Sequence, residues 1–327
     1  MAHNLDFTRG TAAMAYAGEV PWHGLGEHLP EGQPIEAWVK AAKLDWELER
    51  LPVQYPFEGR LRTLDDRFVL ARSDTGDGLS IVSKDYEPVQ PRQVLEFYQT
   101  LVDRYQYKLE TAGALDGGRK IWALARTGYV ASVGGAQKDE IAAYLLLATS
   151  CDKTLATTAA FTGVRVVCQN TIKMAYRDIH NARRRHVKVP HTVLFDAEEI
   201  HQALGLIDQP WEAYLKSVKA MAATPIKPDQ ASQFFEDLLR SKPDKPLSLP
   251  AQREHQTLMS LNKSAPGQNL PTAAGTLWGV VNAVTYYTDH VRRAKSGDRL
   301  DSAWFGAGDA LKDKAWLAAE QIVGVQG

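Results

Sequence analysis

The stretch YLLLATSCDKTLATTAAF, residues 144–161, decides the fold of this chain. Two runs of mainly apolar residues, 141–150 and 155–161, flank the short polar sequence CDKT at 151–154. Two such runs joined by a short polar turn predict a β-hairpin. The sheet to which this hairpin belongs forms the centre of the predicted structure.

Two similar patterns precede this hairpin along the chain. The turn sequences DGGR at 116–119 and SDTGDG at 73–78 each separate two strand-like runs, which predicts two more hairpins. Between them, apolar residues at helical spacing predict one helix over 91–104. Strands and helices therefore do not alternate regularly. The sequence predicts an α+β fold with an antiparallel, hairpin-rich sheet and packed helices, and not a doubly wound parallel sheet.

Outside this region the pattern changes twice, which predicts three parts. We expect an N-terminal cap and helix over 1–45, an α+β core over 46–190 and a helical C-terminal region over 191–327. The outer parts either form separate domains or wrap the sheet. Further helices are predicted at 34–42, from about Asn170 to Tyr176, at 196–224, at 234–239 within a proline-rich loop, at 273–293 and at 309–323.

Composition excludes several classes of protein. The 327 residues include 38 Lys and Arg against 39 Asp and Glu, so a chain that is basic throughout is excluded, although a local basic patch is not. No apolar run reaches the roughly 18 residues of a membrane span, and no signal peptide is recognisable. Two cysteines, Cys151 and Cys168, do not predict a disulfide framework. We expect a soluble, cytoplasmic protein without a membrane partner.

The densest basic feature spans residues 173–188 and contains a single acid, Asp178. Such a cluster binds phosphates or forms a solvated surface, and the sequence leaves both open. Arg165 lies in an apolar run, so it is either paired with a carboxylate or faces a groove. Tyr176 is the best candidate for stacking on unpaired bases; Tyr144 is a weaker one, and Phe161 is expected in the core. The candidate nucleic-acid-binding residues are Arg119, Lys120, Lys153, Arg165, Lys173, Tyr176, Arg177, Arg183, Arg184, Arg185 and Lys188.

Enzyme motifs do not account for the sequence. Neither the zinc-binding pattern HExxH nor the nucleophile elbow GxSxG occurs. The adjacent acids Asp139 and Glu140 are the best pair for a metal-dependent nuclease, and His23 is a weak candidate base. Cys168 lies in an apolar run and is expected to be buried and inert. We therefore predict a binding protein with no catalytic residue, no metal and no cofactor.

Four segments carry a resemblance to a known family. They are PWHGLG at 21–26, GALDGGRKIWALAR at 113–126, the stretch 144–171 that ends in RVVCQNT, and LWGVVNAVTYYTDH at 277–290. The chain resembles the phage/plasmid-like protein family of unknown function found on bacterial mobile elements. Members usually have a His-Asp-Gly-Ser turn where this chain has CDKT at 151–154, and Pro in place of Gly163. The resemblance implies a setting among replication and recombination genes.

In outline, a hairpin sheet followed by a basic helix is also similar to single-strand annealing proteins of the Red-beta and RecT kind. That similarity implies rings or helices of subunits, with single-stranded DNA in a positive groove. Our first hypothesis is a homo-oligomer that binds and anneals single-stranded DNA, with host or phage replication and recombination proteins as further partners. The alternatives are a protein-interaction module for host-factor recruitment or anti-defence, and the nuclease based on Asp139 and Glu140.

Overall fold

The computed structural model describes residues 5–18, 20–21, 24–134, 139–165, 170–174, 176–177, 183–184, 186–204, 207–242, 245–293 and 299–324. The side chains of residues 170, 172, 173, 176, 177, 183, 184, 300 and 301 lie outside this description. Trp22, His23, Cys168 and Arg185, which the sequence singles out, also lie outside the described residues.

The strands follow one another along the described chain in thirteen segments. They are β1 (Met14–Tyr16), β2 (Glu27–His28), β3 (Leu48–Phe57), β4 (Arg60–Arg72), β5 (Gly78–Ser83), β6 (Lys108–Leu115), β7 (Lys120–Ser132), β8 (Glu140–Ser150), β9 (Thr157–Arg165), β10 (Asn170–Lys173), β11 (Tyr176–Arg177), β12 (Arg183–Arg184) and β13 (Val187–Val189).

The helices flank these strands and make up most of the C-terminal part. They are α1 (Ile35–Ala41), α2 (Pro91–Glu96), α3 (Gln99–Tyr105), α4 (Ala197–Leu204), α5 (Asp208–Ala222), α6 (Pro228–Leu239), α7 (Leu249–Ser264), α8 (Leu277–Tyr286), α9 (Arg299–Phe305) and α10 (Ala307–Val323). A π-helical turn, Tyr287–Val291, continues α8. Within the part of the chain that the structure describes, no helix has the length and apolar character needed to cross a membrane.

The main sheet has the strand order β10-β9-β8-β7-β6-β1-β2, and its pairs are antiparallel apart from β1 with β2. The hairpins predicted around 116–119 and 151–154 are β6–β7 and β8–β9, and the hairpin around 73–78 is β4–β5. The predicted fold class, an antiparallel α+β structure with a helical C-terminal part, is confirmed.

Both faces of the main sheet are covered, which explains the long apolar runs of β7 and β8. Successive residues of a strand point to opposite faces. Ile121 and Ala123 accordingly belong to a core shared with the helices, whereas Trp122 and Leu124 belong to a second core on the other face. Phe161 is buried in the first core, as the sequence predicts.

A smaller antiparallel sheet, β3-β4-β5, adjoins the turns of the main sheet. The hydroxyl of Ser80 on β5 donates to the carbonyl of Cys151 at 2.6 Å, and the Lys153 amine donates to the carbonyl of Ile81 at 2.6 Å. The guanidinium of Arg72 on β4 donates to the carbonyl of Gly117 at 3.1 Å. These bonds join the small sheet to the β6–β7 and β8–β9 turns.

Three sequence-based predictions of helices need correction. The one helix predicted over 91–104 is interrupted after Glu96 and forms α2 and α3. The helix predicted to begin at Asn170 is wrong, because residues 170–173 form β10 and pair with 162–165 of β9. The exposed edge of β9 supplies the hydrogen-bonding partners that decide between helix and strand for this short segment. The proline-rich loop predicted around a short helix at 234–239 instead contains the whole of α6 and the start of α7. Pro228 and Pro250 occupy first turns, where proline fits a helix.

Arg165 forms a buried ion pair, one of the two outcomes predicted from its apolar surroundings. Its side chain is 1% exposed, and its Nε and Nη2 atoms donate to the two carboxylate oxygens of Asp139 at 2.6 and 2.7 Å. Asp139 also accepts hydrogen bonds from Thr272 at 2.6 Å and from Trp278 at 3.3 Å. The structure therefore corrects the placement of Arg165 among the nucleic-acid-binding residues, because the guanidinium is enclosed.

We expect Arg165→Gln to lower the free energy of unfolding by about 3–5 kcal/mol, because the Asp139 carboxylate would remain buried without its cation. Urea unfolding followed by circular dichroism measures this loss. Arg92→Gln is the matched control: its pair with Glu96 is about half exposed, so the free energy of unfolding should hardly change. Equal losses in the two variants would contradict the assignment.

Candidate nucleic-acid interface

The basic segment follows β9 and lies along the outer side of this strand. β10 pairs with the end of β9, and the Met174 amide then donates to the Phe161 carbonyl at 2.8 Å. β13 rejoins the same edge further along, where Val187 lies opposite Ala159. Between these two contacts β11 and β12 pair with each other in a separate two-stranded sheet, which we call the basic ribbon (residues 176–177 and 183–184).

The register of the basic ribbon places like charges at opposing positions. Arg177 lies opposite Arg183, and Tyr176 lies opposite Arg184. Like charges at directly opposite positions destabilise an antiparallel pair. Three of the four ribbon residues are arginine, and none is acidic. A bound anion would relieve this repulsion, so the register favours a role in binding anions.

The other predicted cations lie in two places. Arg119, Lys120 and Lys153 come together at one end of the sheet, where the Cys151 amide donates to the Arg119 carbonyl at 2.7 Å. There the Arg119 guanidinium lies 3.8 Å from the Asp116 carboxylate, and Lys153 binds the carbonyl of Ile81. These contacts give that end a structural role.

Lys173 and Lys188 lie on the edge of the sheet, on either side of the basic ribbon. Lys173 on β10 is opposite Thr162, and Lys188 on β13 is opposite Thr158 and exposed. The structure thus brings Lys173, Lys188 and the ribbon residues to one edge of the sheet. It places Arg119, Lys120, Lys153 and Arg165 elsewhere.

Tyr144, the weaker stacking candidate, is buried and takes part in a polar cluster instead. Its hydroxyl lies 3.0 Å from the Glu110 carboxylate and 3.1 Å from the Arg126 guanidinium. Burial and the neighbouring Glu110 carboxylate raise the pKa of the Tyr144 hydroxyl. The phenol therefore stays protonated and can donate a hydrogen bond to Glu110.

Glu110 and Arg126 also line a polar cleft of about 590 Å³ beside the sheet. Arg126 pairs with Glu110 at 3.0 Å, and Lys108 pairs with Glu31 at 3.0 Å. The volume suits a small polar ligand. Because these four charges cancel in pairs, the cleft does not favour a polyanion.

A second buried ion pair fixes β10 against the C-terminal helices. The Lys312 amine on α10 donates to the Asp289 carboxylate at 2.7 Å and to the Thr171 hydroxyl at 3.0 Å. Asp289 in turn accepts from the amide and hydroxyl of Thr171 at 2.8 and 3.0 Å. The Lys312 and Asp289 side chains are 3% and 7% exposed. The adjacent cavity of about 20 Å³ has room for roughly one water molecule, so this cluster holds structure together.

The sequence did not reveal this ion pair. Thr171 and Lys312 are 141 residues apart, and the only signal in the sequence is the adjacent pair Asp289 and His290, which do not face each other on a helix.

The structure also weakens the nuclease hypothesis for Asp139 and Glu140, because the Asp139 carboxylate is 0% exposed and already binds Arg165. In the described ranges, no three His, Cys, Asp or Glu side chains are grouped to hold a metal ion.

We expect Lys312→Met to lower the free energy of unfolding by about 3 kcal/mol or more, because it leaves Asp289 buried without a cation. Thermal and urea unfolding measure the loss. Lys263→Met, at an exposed position on α7, should cost clearly less. A loss in Lys312→Met no larger than that in the control would show that the pair does not stabilise the fold.

Comparison with known proteins identifies the chain at the level of a family. Residues 78–304 match a family described as a domain of unknown function, DUF932. The match covers more than half of the chain and contains β5 to β13, including the basic ribbon and Asp289. No curated protein and no solved structure matches the chain. The chain therefore belongs to the DUF932 family, whose function is unknown.

Proposed function

We propose that this protein binds single-stranded DNA through the basic ribbon and its flanking edge residues, Lys173 and Lys188. The observation that carries the proposal is the register of the ribbon, with Arg177 opposite Arg183. Each cationic contact to a phosphate releases condensed counterions, which gives binding that is strong at low salt. The net charge of the whole chain is only −1, so the attraction to DNA has to come from a local cluster such as this one.

A single strand fits the ribbon better than a duplex does. Tyr176 lies opposite Arg184, so a ring and a guanidinium occupy one pair of positions. Unpaired bases stack on aromatic rings and on arginine without regard to their sequence, whereas the bases of a duplex are already stacked on each other. The combination supports a sequence-tolerant site for unpaired DNA.

Annealing by an oligomer is the activity that we propose for this site. The described part of the ribbon has only four residues, so several copies side by side would be needed to hold a longer strand. On the resemblance to phage/plasmid-like proteins, we propose that this activity serves recombination on a mobile element, in the cytoplasm, beside host or phage replication and recombination proteins. The nuclease alternative loses support, because Asp139 is enclosed in its ion pair.

The proposal predicts that a labelled oligonucleotide of about 20 nucleotides binds more tightly as a single strand than as a duplex in fluorescence anisotropy. Arg177→Gln with Arg183→Gln should weaken binding and reduce the slope of log K against log salt by up to about 0.7 for each lost phosphate contact. Arg253→Gln with Lys263→Gln removes the same charge from exposed positions on α7 and is the matched control.

Three outcomes would contradict this proposal. They are the absence of binding even at low salt, a preference for duplex, and equal losses in the ribbon and control variants. Absence of binding would favour the protein-interaction alternative, which capture of a stoichiometric partner from nuclease-treated host lysate would then test.

The annealing activity predicts that the wild-type protein accelerates the pairing of two complementary strands that carry a fluorophore and a quencher. Light scattering of the complex should give a mass of several chains per strand. The ribbon variant should lose the acceleration, whereas the α7 control should keep it. A single chain per strand, or binding without acceleration, would limit the function to single-strand binding.

A further inference from the structure

The hairpin β3–β4 extends beyond the small sheet to which it belongs. β5 pairs only with residues 67–71 of β4, and the register of the β3–β4 pair shifts between Pro52 and Val53. Past this irregularity, residues 53–64 form a two-stranded segment that we call the arm. A two-stranded hairpin is only marginally stable by itself in water, so the arm adds little to the stability of the fold. Its presence points to a role in binding.

The tip of the arm is built as a tight turn. Phe57 pairs with Arg60, so Glu58 and Gly59 form a two-residue connection. Their φ angles are 49° and 73°, both in the left-handed region that a type I′ turn requires. The twist of such a turn matches the twist of the strands, which fixes which residues share a face of the arm.

One face of the arm combines aromatic rings with arginines. Residues directly opposite each other lie on the same face of an antiparallel pair. The pairs on this face are Val53 with Leu64, Tyr55 with Arg62 and Phe57 with Arg60; we call it the aromatic face. Its six positions include no acidic residue.

The rings of the aromatic face are accessible. Tyr55 and Phe57 are 45% and 48% exposed, and the Arg62 guanidinium lies 5.0 Å from the centroid of the Phe57 ring. Bases stack on exposed rings and on guanidinium planes of this kind, while arginine also binds the phosphates of the same strand. The charged residues of this face are both cations, so its charge complements a polyanion.

From these observations, we infer that the aromatic face of the arm is a second contact surface for single-stranded nucleic acid. This inference rests on the proposed function and extends it, because the arm lies outside residues 78–304 and belongs to another sheet than the ribbon. The ribbon has one aromatic residue among three arginines, and the arm adds two further rings for base stacking. A strand held at both places is fixed by its phosphates and by its bases.

The test uses anisotropy with labelled oligothymidylate of about 20 nucleotides. Tyr55→Ala with Phe57→Ala should weaken binding at least about tenfold with little change in the salt slope, because stacking is lost and no cation is removed. Arg60→Gln with Arg62→Gln should reduce the slope by up to about 1.4. Gln54→Ala with Thr63→Ala, on the opposite exposed face, is the control, and unchanged thermal unfolding confirms that each variant is folded.

The outcomes separate the arm from the ribbon. Wild-type affinity in both arm variants, with weakened binding in Arg177→Gln with Arg183→Gln, would overturn the inference and leave the proposed function standing. Failure of the wild-type protein to bind would overturn both. Tyr55→Ala with Phe57→Ala could also lower the mass of the oligomer while each chain keeps its affinity for oligothymidylate. That result would overturn the inference, because it would assign the aromatic face to contact between copies of the chain.

Discussion

The buried ion pair between Arg165 and Asp139 is the constraint on which the rest of the structure depends. Arg165 ends β9 and Asp139 precedes β8, while Thr272, Trp278 and the carbonyl of Gly267 come from the helical region. One guanidinium and one carboxylate therefore hold the sheet and the helices together. Because both charges are enclosed, the loss of either partner leaves the other charge buried and unpaired, which is far more costly than losing an exposed pair.

The second ion pair, between Lys312 and Asp289, acts on the same edge of the sheet. It binds Thr171 on β10, the strand that leads into the basic ribbon. On the far side of the ribbon, β13 returns to β9. The ribbon is thus anchored by a clamped strand before it and a paired strand after it. The core therefore fixes where the ribbon stands on the sheet, although its four residues pair only with one another.

Strands and hairpins could be predicted because their signals are local. The run YLLLATS and the turn CDKT define β8 and its partner within about twenty residues, and the structure agrees. The segment that begins at Asn170 is a strand because it pairs with β9. The residues of the segment itself carry no sign of that partner, so their pattern predicts a helix. For Arg165, the apolar neighbours predict either an ion pair or a position in a groove, and they do not identify its partner, Asp139. Thr272 and Trp278, more than a hundred residues away, complete the network around Asp139.

The cations of this chain show why a residue type alone does not predict a binding site. Arg72, Arg165 and Lys312 are buried in ion pairs that hold elements together. Lys153 and Arg119 secure turns. Lys188, Arg60 and Arg62 are exposed at strand positions, and Arg177 lies opposite Arg183 in the register of the ribbon. In the sequence these residues are equivalent positive charges. Burial separates the cations that stabilise the fold from those of the arm, which a phosphate can reach, whereas the proposal for the ribbon rests on its register.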